Sequence, residues 1–114
     1  MKGVSTHVLD TARGMPAGNL RVLLERSESS GQWRTLASAR TGNDGRCYQL
    51  LPEGEAFSPG IYRLAFDTET YYSTQGVKSL YPIVQVIFSV GEGESHFHIP
   101  LLLSPYSYTT YRGS

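Results

Sequence analysis

The chain holds three histidines, His7 near its start and His96 and His98 near its end. Histidine is the side chain whose ordinary pKa, about 6.5, lets it take up and release protons near neutral pH. An imidazole can therefore serve as the base that takes a proton from water near neutral pH. Successive side chains of an extended strand alternate between faces. In the closing segment this puts His96 and His98 on one face and Phe97, Ile99, Leu101 and Leu103 on the other, so one face is core and the other presents imidazoles. Arg46 follows the turn Asn43-Asp44-Gly45, and its planar fork suits a flat polar heterocycle or the charge that develops on a carbonyl oxygen. The same imidazoles allow a second chemistry, in which His7 joins His96 and His98 in a three-histidine zinc site with an open fourth position. Taken singly, each of these residues has a plainer use: a histidine on a strand face is most often a polar group facing water, and an arginine after Asp-Gly is ordinarily solvated. Cys47, with no charged activating partner evident, reads as a small buried hydrophobe and not as a nucleophile. There is no Ser-His-Asp signature and no glycine-rich phosphate loop.

The elements that must position these residues are strands. Residues 4–11 alternate, with Val4, Thr6 and Val8 on one face and Ser5, His7 and Leu9 on the other. Residues 13–19, rich in Gly and Pro, break that strand. Leu20 to Arg26 and Trp33 to Arg40 are further strand candidates joined by a plausible hairpin loop, and extended structure resumes from Arg46 to Leu50. Ile61 to Phe66 alternates again, aligning Tyr62, Leu64 and Phe66. Asp67 to Gly76 opens with a capping residue and closes with glycine, which predicts one short helix. Pro82 to Val90 is a long apolar strand beginning at a proline, and residues 91–94 turn the chain into its closing segment. Short strands at this spacing, with turn signals between them, indicate an all-β sandwich of seven to eight strands with one short helix.

Composition agrees. Tyrosine is frequent at 8, with 12 Gly and 6 Pro, which favours strands and turns over a helical bundle. At 114 residues the chain is read as a single domain, 1–114, large enough for one core. A formal net charge of +0 gives no electrostatic reason to expect nucleic acid or an anionic membrane as partner, so an anionic ligand would need a local site. One cysteine cannot form an intramolecular disulfide, and the start carries no apolar run of signal-peptide type. The expectation is a cytoplasmic protein, or a periplasmic one if a leader has been removed.

Three motifs, in order along the chain, carry a family resemblance. They are Ser5-Thr6-His7-Val8-Leu9-Asp10-Thr11-Ala12-Arg13-Gly14-Met15-Pro16-Ala17, then Thr41-Gly42-Asn43-Asp44-Gly45-Arg46, then the run from His96 through Ser104-Pro105-Tyr106 to Tyr111-Arg112-Gly113-Ser114. Together they resemble the 5-hydroxyisourate hydrolases, the transthyretin-related proteins. The closing tetrapeptide separates those hydrolases from transthyretin proper.

The resemblance implies a transthyretin-like β-sandwich that opens the ring of 5-hydroxyisourate in urate breakdown. The product would be 2-oxo-4-hydroxy-4-carboxy-5-ureidoimidazoline. It implies catalytic roles for His7, Arg46, His98 and Ser114, and places Tyr111 and Arg112 with His7, Arg46 and Ser114 among residues that bind substrate. Arg112 either anchors the tail or touches substrate, the role of His96 stays open, and so does the choice of general base between His7 and His98. It favours metal-free hydrolysis with no cofactor, the zinc version being the alternative, and a homotetramer with active sites in a channel between subunits. A transthyretin-like carrier of small hydrophobic ligands is the other alternative, and a carrier has no need of His7, Arg46, His98 or the Tyr-Arg-Gly-Ser tail. On this expectation His96, His98 and Leu102 share an outer face with Tyr106, Tyr108 and Tyr111 of the next segment, a surface suited to a partner.

Overall fold

The computed structural model describes residues 3–114. β1 (Gly3–Asp10) shows the predicted alternation, with Val4, Thr6 and Val8 fully buried and His7 and Leu9 only half-buried. Around Gly14, whose φ of 68° is cheap only for glycine, the chain folds back so that β2 (Met15–Pro16) pairs antiparallel with Leu9 and Asp10. β3 (Arg21–Ser27) and β4 (Trp33–Arg40) form the expected hairpin. β5 is shorter than expected. Only Arg46–Cys47 pairs with β1, setting His7 opposite Arg46 and Thr6 opposite Cys47, although the Leu50 N–H still reaches the Val4 carbonyl at 2.8 Å.

β6 (Gly60–Phe66) buries Tyr62, Leu64 and Phe66 completely, as their alignment predicts. The helix α1 (Thr68–Ser73) is capped by the Asp67 carboxylate, which accepts the Thr70 N–H at 3.2 Å and satisfies one of the amides a helix start leaves orphaned. β7 (Val84–Val90) starts two residues after Pro82, and β8 (His96–Ser104) and β9 (Ser107–Thr110) complete the chain. Among the described residues that makes nine strands, more than seven to eight, because the two-residue pieces β2 and β5 both dock on one edge of β1.

The strands form two sheets, ordered β2-β1-β8-β9, with β5 also on β1, and β4-β3-β6-β7. β1 and β8 run parallel over all eight residues of β1, from Gly3 opposite His96 to Asp10 opposite Leu103. Between the sheets pack Val4, Val8, Phe97, Ile99 and Leu101 from one side and Val22, Leu24, Tyr62, Leu64 and Phe66 from the other. Each such large side chain contributes about 1.5–3 kcal/mol by leaving water. This is what holds β1 and β8 in register and fixes which side chains face outward.

Among the described residues the buried polar groups of the core are partnered except the Tyr72 hydroxyl, which is enclosed without a hydrogen bond. The buried carboxylate of Asp10 accepts the Ala12 and Arg13 N–H groups at 3.1 Å through one oxygen and the Tyr71 hydroxyl at 2.8 Å through the other, tying α1 to the end of β1. Cys47 is buried, and desolvation pushes its thiol above the ordinary range, as suits a packing residue.

One expectation about the surface is corrected. Tyr108 lies opposite Leu103, whose side chain is in the core, so Tyr108 shares the inner side of the sheet and its ring meets Tyr81 edge-on at 5.1 Å. Tyr111 lines a shallow groove between the sheet edges with Val86, Phe88 and Ile99. Neither joins His96 and His98 on the outer face, because cross-strand partners point the same way and β9 meets β8 in the register that turns Tyr108 inward.

Candidate active site

The outer face of the first sheet carries the candidate residues in one row. Arg46 on β5 is the cross-strand partner of His7 on β1, Ser5 on β1 is the partner of His98 on β8, and Gly113 of the tail bridges to His98 from the other side. Sequentially these positions are far apart. They meet because β1 is flanked by β5 and β8, and because the tail beyond β9 continues along β8.

The turn that delivers Arg46 is fixed from several directions. The Asp44 carboxylate accepts the Arg46 N–H at 3.0 Å and the Tyr48 hydroxyl at 2.5 Å, and these bonds hold its pKa below the usual carboxylate value. Gly45, at φ 77°, accepts the Val8 N–H on its carbonyl at 2.8 Å; a Cβ there would lie 2.3 Å from the Val8 oxygen. Only glycine passes that close to the strand.

His7 Nε2 lies 3.0 Å from the Asp44 carbonyl oxygen. A carbonyl can only accept, so Nε2 carries the proton and the lone pair of neutral His7 is on Nδ1. His98 Nδ1 lies 2.8 Å from Ser5 Oγ. Partial burial holds the His98 imidazole below its ordinary pKa of 6.5, and the positive charge of Arg46, together with His7 and His96 when protonated, pushes the same way. Near neutral pH the row therefore holds an uncharged imidazole beside a fixed guanidinium. That pairing can move a proton while stabilising an oxyanion.

The tail is held from both sides. The Gly113 N–H donates to the His98 carbonyl at 2.7 Å. Arg112 donates to Glu94 Oε2 and to the His96 carbonyl, each at 3.1 Å, and its guanidinium lies 4.0 Å above the Phe97 ring. In this chain Arg112 and Tyr111 thus sit toward the groove between the sheets, whereas Ser114, exposed, follows directly on the residue that bridges to His98. His96 is half-buried with its Nδ1 enclosed and unpartnered. Ser5, Asp44 and Gly113 belong to the site and were not singled out from sequence. Ser5 and Gly113 declare themselves only once the β1–β8 and β8–tail registers are known, whereas Asp44 acts through its carbonyl, which no residue type reveals.

Among the described residues no group of three His, Cys, Asp or Glu side chains is placed to hold a metal ion, so one chain does not assemble the three-imidazole zinc alternative. A roomy concavity of about 720 Å³ opens elsewhere, beside Arg13, Arg21 and Arg40, and includes none of His7, Arg46, His98 or Ser114. Chemistry follows the convergent side chains rather than the larger hollow.

Two facing sheets with a parallel β1–β8 pair, and a histidine-arginine row on the outer face, define a transthyretin-like sandwich bearing a polar site. The chain belongs to the HIUase/Transthyretin family, whose profile it matches over residues 4–113. It is 50% identical over 112 residues to the 5-hydroxyisourate hydrolase of Mus musculus, covering 97% of this chain and 94% of that protein. It is 43% identical over 118 residues to the 5-hydroxyisourate hydrolase of Pseudomonas aeruginosa, covering 100% and 93%. Transthyretin from Sparus aurata superposes with a TM-score of 0.91 at 32% identity, covering 99% of this chain and 97% of that one. The 5-hydroxyisourate hydrolase of Klebsiella pneumoniae does so at 0.84 and 33%, covering 97% and 98%. Backbone shape therefore does not separate transthyretin from the 5-hydroxyisourate hydrolases, and the side chains must.

Proposed function

We propose that this chain hydrolyses 5-hydroxyisourate to 2-oxo-4-hydroxy-4-carboxy-5-ureidoimidazoline in urate catabolism, without a cofactor. The observation that carries the reading is the Arg46–His7–His98–Gly113 row, present in a chain whose curated relatives are named as this hydrolase. Water adds to a ring carbonyl carbon as one imidazole of the His7/His98 pair takes its proton. Arg46 stabilises the oxyanion. The carbon–nitrogen bond then breaks, and the proton taken from water passes through the imidazole pair to the departing ring nitrogen. The Ser114 hydroxyl holds water or substrate beside His98, while Arg112 keeps the tail in place. The test is to generate 5-hydroxyisourate with urate oxidase and follow its ultraviolet decay with and without this protein. No acceleration would reject the reading.

The active assembly in this proposal is a homotetramer with sites between subunits. A sheet face that is open on one chain becomes a water-poor site only when something covers it, and electrostatic stabilisation of an oxyanion gains most where water is excluded. Sedimentation alongside turnover tests this, and a fully active monomer would overturn it.

A further inference from the structure

Ser5 has no evident duty in the fold. It lies on the outer face of β1, is only 6% exposed, and is the cross-strand partner of His98. Its hydroxyl has one hydrogen bond among the described residues, to His98 Nδ1 at 2.8 Å. A hydroxyl can give its single hydrogen to a ring lone pair or accept a ring N–H. The first arrangement, in which Oγ donates to Nδ1, leaves the ring proton of neutral His98 on Nε2.

We propose that Ser5 is a positioning residue for His98, holding the neutral imidazole with its proton on Nε2 so that the ring meets substrate as a donor. His7 is held the opposite way: the Asp44 carbonyl draws the proton to its Nε2 and leaves Nδ1 as the free lone pair. The two rings are thereby given different tasks before substrate arrives, His7 to accept the proton of water and His98 to donate a hydrogen bond from Nε2 to the departing nitrogen, which is finally neutralised by the proton His7 has taken. The charged or titratable groups acting on His98 are Arg46 from β5, His7 from β1 and His96 from β8, and none is an anion that would hold a proton on both ring nitrogens. Arg112, the charged group of the tail, is engaged with Glu94 and Phe97.

The assignment rests on the proposed hydrolysis, and its test separates the two. Nitrogen-15 spectra of histidine-labelled protein report which ring nitrogen bears the proton, independently of any substrate. The wild type should show neutral His98 protonated on Nε2, and Ser5→Ala should show a mixture of tautomers. In Ser5→Ala kcat should fall on the order of tenfold, less than the full loss of a proton-transfer group, with KM little changed. Ser5→Thr, which keeps the hydroxyl, should restore both. A wild-type His98 protonated on Nδ1 would overturn the proposal, as would a Ser5→Ala variant with unaltered tautomer and kcat. Should Ser5→Ala fail to fold, the wild-type and Ser5→Thr spectra still decide. If the wild type does not act on 5-hydroxyisourate, the functional reading falls and the spectra judge Ser5 alone.

Discussion

Gly113 lies flat against His98: its N–H reaches the His98 carbonyl, and a Cβ at this position would come within 2.6 Å of His98 Cδ2 and 3.3 Å of Pro100 Cγ. Real Cβ atoms do not tolerate the shorter distance, so either the tail lifts or the imidazole turns. Gly113→Ala should leave thermal unfolding nearly unchanged, because the contact is at the surface of the sheet. Turnover should fall on the order of a hundredfold, as expected when a reacting group is displaced by about 1 Å. Paired melting and ultraviolet assays check both halves. A bulky extension after Ser114 should impair turnover through the same tail, whereas an N-terminal tag should not.

Arg112 and Glu94 provide a way to tell an anchor from a substrate contact. If Arg112 acts by holding the tail, Glu94→Gln should reproduce part of the loss seen in Arg112→Ala, although Glu94 is bonded to Arg112 and not to His7 or His98. Truncated Arg112 should lower kcat several-fold or more, since it gives up two hydrogen bonds and the Phe97 stacking contact together. A large rise in KM with normal kcat, and a silent Glu94→Gln, would instead place Arg112 on the substrate.

His98 should titrate below its ordinary value of 6.5. Burial disfavours the imidazolium, and Arg46 adds like-charge repulsion, so replacing Arg46 by Gln removes one of the pressures and the midpoint should rise toward the ordinary value. Titration of the His98 ring by NMR in wild type and Arg46→Gln measures the shift, and a midpoint that falls in the variant would contradict the electrostatic account.

Chelation separates the two hydrolytic chemistries. Exhaustive removal of metal should leave turnover unchanged, while His7→Ala and His98→Ala should each cost on the order of a hundredfold or more, the contribution of a proton-transfer group. Loss on chelation that is restored by stoichiometric zinc would favour the metal-dependent version.

Much of this arrangement is legible in the chain. Alternation alone placed His7, His96 and His98 opposite the buried rows of β1 and β8, since period-two patterning directly records which face meets the core. The cap at Asp67 and the glycine beyond it marked α1. Strand neighbours were not legible, because a strand's own pattern does not say which other strand it joins; the pairing of Ser5 with His98 and the bridge from Gly113 depend on that missing information. The orientation of Tyr108 failed for a related reason. A tight turn at residues 104–107 sets the register of β9, and one residue of register decides which face an aromatic takes. The groups that orient the imidazoles include the Asp44 carbonyl, and backbone atoms leave no signature in residue types.

The parallel pairing of β1 with β8 also sets a timetable for synthesis. Ser5 must wait for a partner 93 residues downstream, so at ribosomal rates of about 5–20 residues per second the first strand stays unpaired on that side for roughly five to twenty seconds. Until then it has only the two-residue pieces β2 and β5 along its other edge. A nascent chain of this kind exposes an apolar, β-prone segment at its start for the longest time, and the step that shields it also brings Ser5, His7 and His98 together. Folding should be slow for its size, as contacts between distant segments make it, and catalytic competence should appear as one of its last events.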